Sequence, residues 1–135
     1  MDKIKINGTQ YTILGRAVYA TKGDPDATYV KVTLNDNKSL LIVPSDKVAF
    51  IGENKGHIKE FDGFPNKATF NGEELEQSNH DFQIKAGECV GVTEGECEFW
   101  DYTNDNLYVS VAVLADGTRA DVILNEIDYE LGSKI

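Results

Sequence analysis

Four dipeptides constrain this chain more than anything else in it. Asn7-Gly8, Asp36-Asn37, Asn71-Gly72 and Asp116-Gly117 each separate two segments in which apolar and polar residues alternate. A period near two belongs to strands, not helices, and these dipeptides accept the positive φ angles of tight hairpin turns. A two-residue turn at positions n and n+1 pairs residues whose numbers sum to 2n+1, so each turn implies a register.

Asn7-Gly8 pairs Ile6 with Thr9 and Ile4 with Tyr11. Ile13 extends that face, while Lys3, Lys5, Gln10 and Thr12 make a polar one. Asp36-Asn37 pairs Leu34 with Ser39, Val32 with Leu41 and Val30 with Val43. Asp116-Gly117 pairs Val113 with Ala120, Val111 with Val122 and Val109 with Leu124, an apolar face that reads as core. Its other face is mixed, with Ser110, Arg119 and Asp121. A slip of one residue would scramble both faces. Asn71-Gly72 joins Phe70 to Glu73 and Ala68 to Leu75. It is weaker, because residues 73–77 are poor strand formers and compete as a short turn of helix, as do residues 124–128. A further hairpin over residues 89–100 is expected to turn near Glu94-Gly95. That sends Glu94, Glu96, Glu98 and Trp100 to one face and Cys97, Phe99 and Asp101 to the other.

These signals recur in order. Ile6-Asn7-Gly8, Tyr11-Thr12-Ile13, Gly15 and Val18 precede Tyr29–Leu34. Phe70-Asn71-Gly72, Phe82-Gln83-Ile84, Gly87 and Val90 precede Tyr108–Val113. The pattern reads as an internal repeat over residues 3–62 and 68–131, joined at Phe64-Pro65-Asn66-Lys67, or as a chance likeness of short alternating strands. A unit of that size is marginal alone, so the two are expected to share one core. The 135 residues then make a single all-β domain of antiparallel hairpins, a barrel or a sandwich. Gly15 and Gly87 sit inside strand patterns, where a glycine marks a bulge. The stretch from Lys22 to Ala27 reads as a loop.

Charge narrows the function. Lys plus Arg is 13 and Asp plus Glu is 23, a net charge of −10. That balance opposes direct nucleic-acid binding, which needs a basic surface. No apolar run approaches the ~20 residues of a membrane-spanning helix. The N-terminal residues Met1–Gly8 hold no apolar stretch of the signal-peptide kind. Cys89 and Cys97 do not make a disulfide framework, so an intracellular protein with two reduced thiols is expected.

The motifs assign no chemistry to the chain. Asp101, Thr103 and Asp105 are spaced like the start of a calcium loop, but Asn106 stands where the loop needs glycine and Ala112 where it needs glutamate. His57 reads as part of a short exposed strand and His80 as a loop residue. With Cys89 and Cys97 they have no zinc spacing. Ser78, His80 and Asp81 are too close in sequence to form a triad by themselves, and Cys89 with His80 is a candidate dyad that ordinary packing of both residues outweighs. No phosphate-cradling glycine loop is present. No catalytic residue, metal ligand or cofactor is therefore expected.

Trp100-Asp101-Tyr102, the glycines from Gly91 to Gly95, and the ending Tyr129–Ile135 resemble an uncharacterised bacterial family, domain-of-unknown-function family 4178, over residues 11–135. Where that family's first long strand carries an aromatic followed closely by Glu-Tyr, this chain reads Thr28-Tyr29-Val30-Lys31. The resemblance implies a bacterial cytoplasmic β protein and brings no activity or site residues with it.

The leading expectation is an acidic, non-catalytic module that binds a protein partner, with Trp100, Glu98, Glu96, Tyr29 and Tyr108 as candidate binding residues. A buried Trp100 is the competing reading of that position. The alternatives are a small-ligand binder with a pocket between the halves, lined by Tyr11, Tyr29, Phe82 and Tyr108, and an acidic mimic of nucleic acid. An enzyme using Cys89 or a carboxylate pair ranks last.

Overall fold

The computed structural model describes residues 2–91 and 95–133. Ten strands follow one another: β1 (Lys3–Ile6), β2 (Thr9–Thr21), β3 (Asp24–Leu34), β4 (Lys38–Val43), β5 (Val48–Gly56), β6 (Lys67–Phe70), β7 (Glu73–Val90), β8 (Cys97–Thr103), β9 (Tyr108–Leu114) and β10 (Asp121–Ile127). A 3-10 turn (Lys59–Phe61) precedes β6, and a helical turn, α1 (Tyr129–Gly132), follows β10. β2 to β5 form one meander and β7 to β10 another. β5 pairs with β10 and β2 with β7, so eight strands close an antiparallel barrel, with β1 and β6 as added arms. The architecture is all-β, as the periodicity implies, and of the barrel and the sandwich it is the barrel. The first five strands and the last five take the same arrangement. No helix among the described residues is long and apolar enough to cross a membrane.

Two of the four turns set the register their sequence implies. Asn7 (φ 49°) and Gly8 (φ 85°) place Ile6 opposite Thr9 and Ile4 opposite Tyr11. Asn71 (φ 52°) and Gly72 (φ 76°) place Phe70 opposite Glu73 and Ala68 opposite Leu75. Residues 73–77 are strand, not helix, because Leu75 is fully buried on one face while its neighbours stay wet. Residues 124–127 are strand as well, and the helical turn comes at Tyr129.

The other two registers slip by one, for different reasons. At Asp116-Gly117 only the glycine has a positive φ, at 88°. Gly117 N–H donates to the Leu114 carbonyl at 2.9 Å, and Leu114 N–H donates to the Thr118 carbonyl at 2.8 Å. The loop is therefore three residues long, a type I turn followed by a glycine bulge. Val122 faces Ser110 and Ile123 faces Val109, correcting the expected pairs of Val111 with Val122 and Val109 with Leu124. Asp36 (φ 60°) and Asn37 (φ 58°) do form a two-residue turn, closed by Lys38 N–H on the Asn35 carbonyl at 3.2 Å. Thr33 nonetheless pairs with Ser39, which leaves Leu34 as an extra residue that pairs with Ile13 of β2 instead. Val32 then faces Leu40 and Val30 faces Ile42. Each slip sends one expected partner set through the wall: Val30, Val32, Val109 and Val111 point outward, Leu41, Val43, Val122 and Leu124 inward.

The hairpin expected over residues 89–100 is not formed that way. β8 pairs with Glu76–Gln83, putting Trp100 opposite His80, while Cys89 and Val90 pair with Ala17 and Arg16 of β2. Glu94 lies outside the described residues. β7 is 18 residues long, and this change of partner is why. A bulge at Gly87 lets it bend: Tyr19 pairs with Lys85 but Ala17 with Cys89, and a Cβ at Gly87 would come within 2.9 Å of Val18 Cβ. Gly15 borders a second register shift, after Ile13. The expected loop at residues 22–27 shrinks to Lys22-Gly23, since β3 begins at Asp24. His80 lies in β7 rather than in a loop, and His57 follows β5 rather than lying within it.

Most apolar burial lies outside the barrel wall, in two clusters. One packs Tyr11, Val32, Leu34, Leu40, Ile42 and Ala49 beneath Ile6 of β1. The other packs Leu75, Trp100, Tyr102, Val109 and Val111 beneath Ile58 and Phe61. The covers are exchanged. α1 ends the second half yet sits on the first, where a Cβ on Gly132 would be 3.1 Å from Ala49 and 3.3 Å from Ile42. The 3-10 turn ends the first half yet covers the second. Its anchor is Asp121, which is fully buried. Asp121 accepts from Ile58 N–H at 2.8 Å, from Arg119 Nε at 3.0 Å and from Arg119 Nη2 at 2.6 Å.

Candidate functional site

An eight-stranded barrel is just wide enough for side chains to fill it or for one small ligand to replace some of them. Here the interior keeps a cavity of about 220 Å³. Its wall follows from alternation. With Val30 and Val32 facing out, Tyr29 and Lys31 of β3 face in. With Trp100 and Tyr102 facing out, Cys97, Phe99 and Asp101 of β8 face in. β4 adds Leu41 and Val43, β9 adds Tyr108, Ser110 and Ala112, β10 adds Val122 and Leu124, and β7 adds Asn79 and Gln83. The lining is thus apolar on the β4 and β10 side and polar where β3 faces β8.

The polar groups are held in place by one another. Tyr29 Oη donates to Gln83 Oε1 at 2.9 Å, and Gln83 Nε2 donates to the Gly95 carbonyl. Gly95 N–H donates to Tyr19 Oη at 3.0 Å. Tyr108 Oη donates to Asp101 Oδ2 at 3.2 Å, and Ser110 and Asn79 also hydrogen-bond that carboxyl. Lys31 differs. Its Nζ stands 6.0 Å from the Tyr19 ring centroid, and among the described residues no hydrogen bond or ion pair closes on it.

Enclosure sets the protonation of these groups. Burial pushes the Lys31 amine well below its ordinary range, against the opposing pull of Cys97 and Asp101. Burial pushes the Asp101 carboxyl up, against its hydrogen bonds to Ser110, Tyr108 and Asn79 and the attraction of Lys31. Burial likewise raises the Cys97 thiol and the Tyr29 and Tyr108 phenols. The cavity therefore favours neutral forms: an amine, a carboxylic acid, a thiol and two phenols. Among the described residues no three His, Cys, Asp or Glu side chains converge on a metal position.

The candidate binding residues separate into two places. Tyr29 and Tyr108 share the cavity. Trp100 is buried on the outside of β8, stacked between Phe64 (centroids 3.7 Å apart) and His80 (4.6 Å). Arg119 lies over the far face of Phe64 at 5.6 Å, so Trp100 serves the cover of the outer core. Glu98 pairs with His80 at 2.7 Å, and Glu96 is exposed. Of the other two aromatics proposed to line a pocket, Tyr11 is in the first outer cluster and Phe82 is exposed on the surface. The residues missed were Lys31, Asp101 and Gln83. For Lys31 and Gln83 the signal was present, since each occupies the polar phase of an alternating strand that closure turned inward; Asp101 shares its phase with Cys97 and Phe99 and carried no such signal.

Comparison with protein-family models, with curated proteins and with solved structures finds no match to the chain.

Proposed function

We propose that this chain is a small-ligand-binding β-barrel whose ligand sits inside the barrel, between its two halves. The cavity itself supports this reading. Closure of eight strands leaves an interior that side chains can fill, and here about 220 Å³ stays open beside Lys31, which has no ion-pair partner among the described residues, and the oriented Asp101 carboxyl. A dry structural core has no use for Lys31, Asp101, Tyr29 and Gln83 converging on one space, since each polar group left there costs free energy. The ligand is compact, with an apolar part against Leu41, Val43, Val122 and Leu124 and a polar head toward Lys31 and Asp101. Saturation-transfer NMR against a panel of compact phenols, alcohols and carbonyl compounds tests the site. Binding is expected in the native protein and is lost when Ala112→Leu fills the cavity with the fold intact by circular dichroism. Absence of any binder, or binders unaffected by Ala112→Leu, would sink the proposal.

A protein-interaction module is the second reading. It rests on three exposed apolar side chains, Leu14, Phe82 and Val90, all on the β2 and β7 seam, in a chain of net charge −10. Affinity capture from native extract with the native chain and with Leu14→Ser/Val90→Ser distinguishes it. A partner retained equally by both proteins would place the contact elsewhere.

A further inference from the structure

We propose that Lys31 holds a compact aldehyde or ketone inside the barrel as a reversible imine. This rests on the barrel interior being a ligand site. The geometry has three parts. Lys31 projects from β3 into the cavity, and among the described residues no carboxylate lies within ion-pairing distance of it. Asp101 projects from β8 into the same cavity and is fixed by Tyr108, Ser110 and Asn79. The wall on the β4 and β10 side, Leu41, Val43, Val122 and Leu124, is apolar, and a ligand packed against it displaces water that would otherwise reverse the condensation.

Few other groups compete. The titratable side chains that share the interior with Lys31 are Tyr19 on β2, Tyr29 on β3, Cys97 and Asp101 on β8, and Tyr108 on β9. β4, β7 and β10 contribute none to the lining among the described residues. Burial leaves Lys31 disposed to be an amine, the form that attacks carbonyls. It leaves Asp101 disposed to be an acid. A carboxylate ligand would have to bury a second acidic group beside Asp101, whereas a carbonyl enters without charge.

The step balances without an outside reagent. The Lys31 nitrogen bonds to the carbonyl carbon as the C=O π pair moves to oxygen. A proton passes from nitrogen to that oxygen, giving a carbinolamine. Asp101 in its acid form protonates the hydroxyl, and water leaves as the nitrogen lone pair completes the C=N bond. The iminium returns its proton to the Asp101 carboxylate. One water is released, and nothing is oxidised or reduced.

The test treats the full chain with cinnamaldehyde and cyanoborohydride at pH 7, followed by peptide mass mapping. The expected result is a reduced adduct on Lys31 at least tenfold above that on any surface lysine. Asp101→Asn should slow its formation by about tenfold or more while the fold is unchanged by circular dichroism. Lys31→Met should remove that adduct alone. An adduct spread evenly over surface lysines, with Lys31 unlabelled, would overturn the inference. Binding of cinnamyl alcohol, read separately by NMR, tells the two levels apart. Alcohol binding without a Lys31 adduct removes the imine and keeps the ligand site. Absence of both removes both.

Discussion

Two ionisable groups inside the fold, Asp121 and Lys31, behave in opposite ways. Asp121 is fully enclosed but satisfied, accepting from Arg119 and from the Ile58 and Ala112 backbone. Removing one partner of such a pair strands the other. Asp121→Ala is therefore expected to cost about 3–5 kcal/mol, measured by urea denaturation. The lone tryptophan, Trp100, lies under the same cover and reports the loss by its fluorescence. Lys31 is half-buried and lines the cavity, with no ion-pair partner among the described residues. Its folded-state pKa lies below the ordinary 10.5, so the unfolded chain binds more protons between those two values. Stability therefore rises with pH across that window and is lower beneath it. Lys31→Met is expected to remove this rise and to stabilise the protein at pH 7 by about 1 kcal/mol or more. Thermal denaturation of both proteins from pH 7 to pH 10 checks it by difference, because the raised Cys97, Tyr29 and Tyr108 groups pull the other way in each; an advantage of Lys31→Met that does not shrink as pH rises contradicts the assigned sign. Neither role could be read from residue type. A lysine on the polar phase of a strand is ordinarily a solvated one, and only closure of the barrel made this one interior.

Strands and turns show which local rules survive assembly. Asn7-Gly8 and Asn71-Gly72 put two left-handed residues in succession and keep the two-residue register, whereas Asp36-Asn37 does the same but loses it because Leu34 pairs with Ile13 of β2 instead. Asp116-Gly117 kept the glycine left-handed but recruited Ala115 into a three-residue loop. Both loop lengths suit an Asp-Gly pair, so the choice fell to packing: the observed register puts Ile123 beside Val109 in the outer cluster and turns Val122 and Leu124 inward, which the other register would reverse. Gly117→Ala is expected to cost about 1–2 kcal/mol, because a Cβ is forced to a φ of 88°. Gly87 works differently. Its substitution meets Val18 rather than a forbidden angle, so Gly87→Ala is expected to cost about 1–3 kcal/mol. Val18→Ala should recover part of that loss, a coupling that a double-mutant cycle measures and that would be absent if the cost were purely conformational.

Across the whole molecule, each half carries the lid of the other. α1, from the second half, lies on the outer core of the first, and the 3-10 turn, from the first, lies on the outer core of the second. Separately produced fragments 1–63 and 64–135 are each expected to lack dispersed amide NMR spectra, and to regain them on mixing. A fragment that folds alone would show that the exchange is dispensable. The chain by itself determined that its segments are strands, where most of them reverse, and that one phase of each is apolar. Those properties belong to a few neighbouring residues, whose torsions and side-chain sizes act without reference to the rest of the fold. Tertiary structure alone decided which phase faces the interior. Alternation only sorts side chains to two sides of a ribbon. Which side is inside depends on how the ribbon closes and what covers its back, and both depend on residues far apart in the chain. Here closure turned the mixed phase toward the axis, and the exchanged lids buried the apolar phase outside. That inversion put Lys31 and Asp101 in one enclosed space.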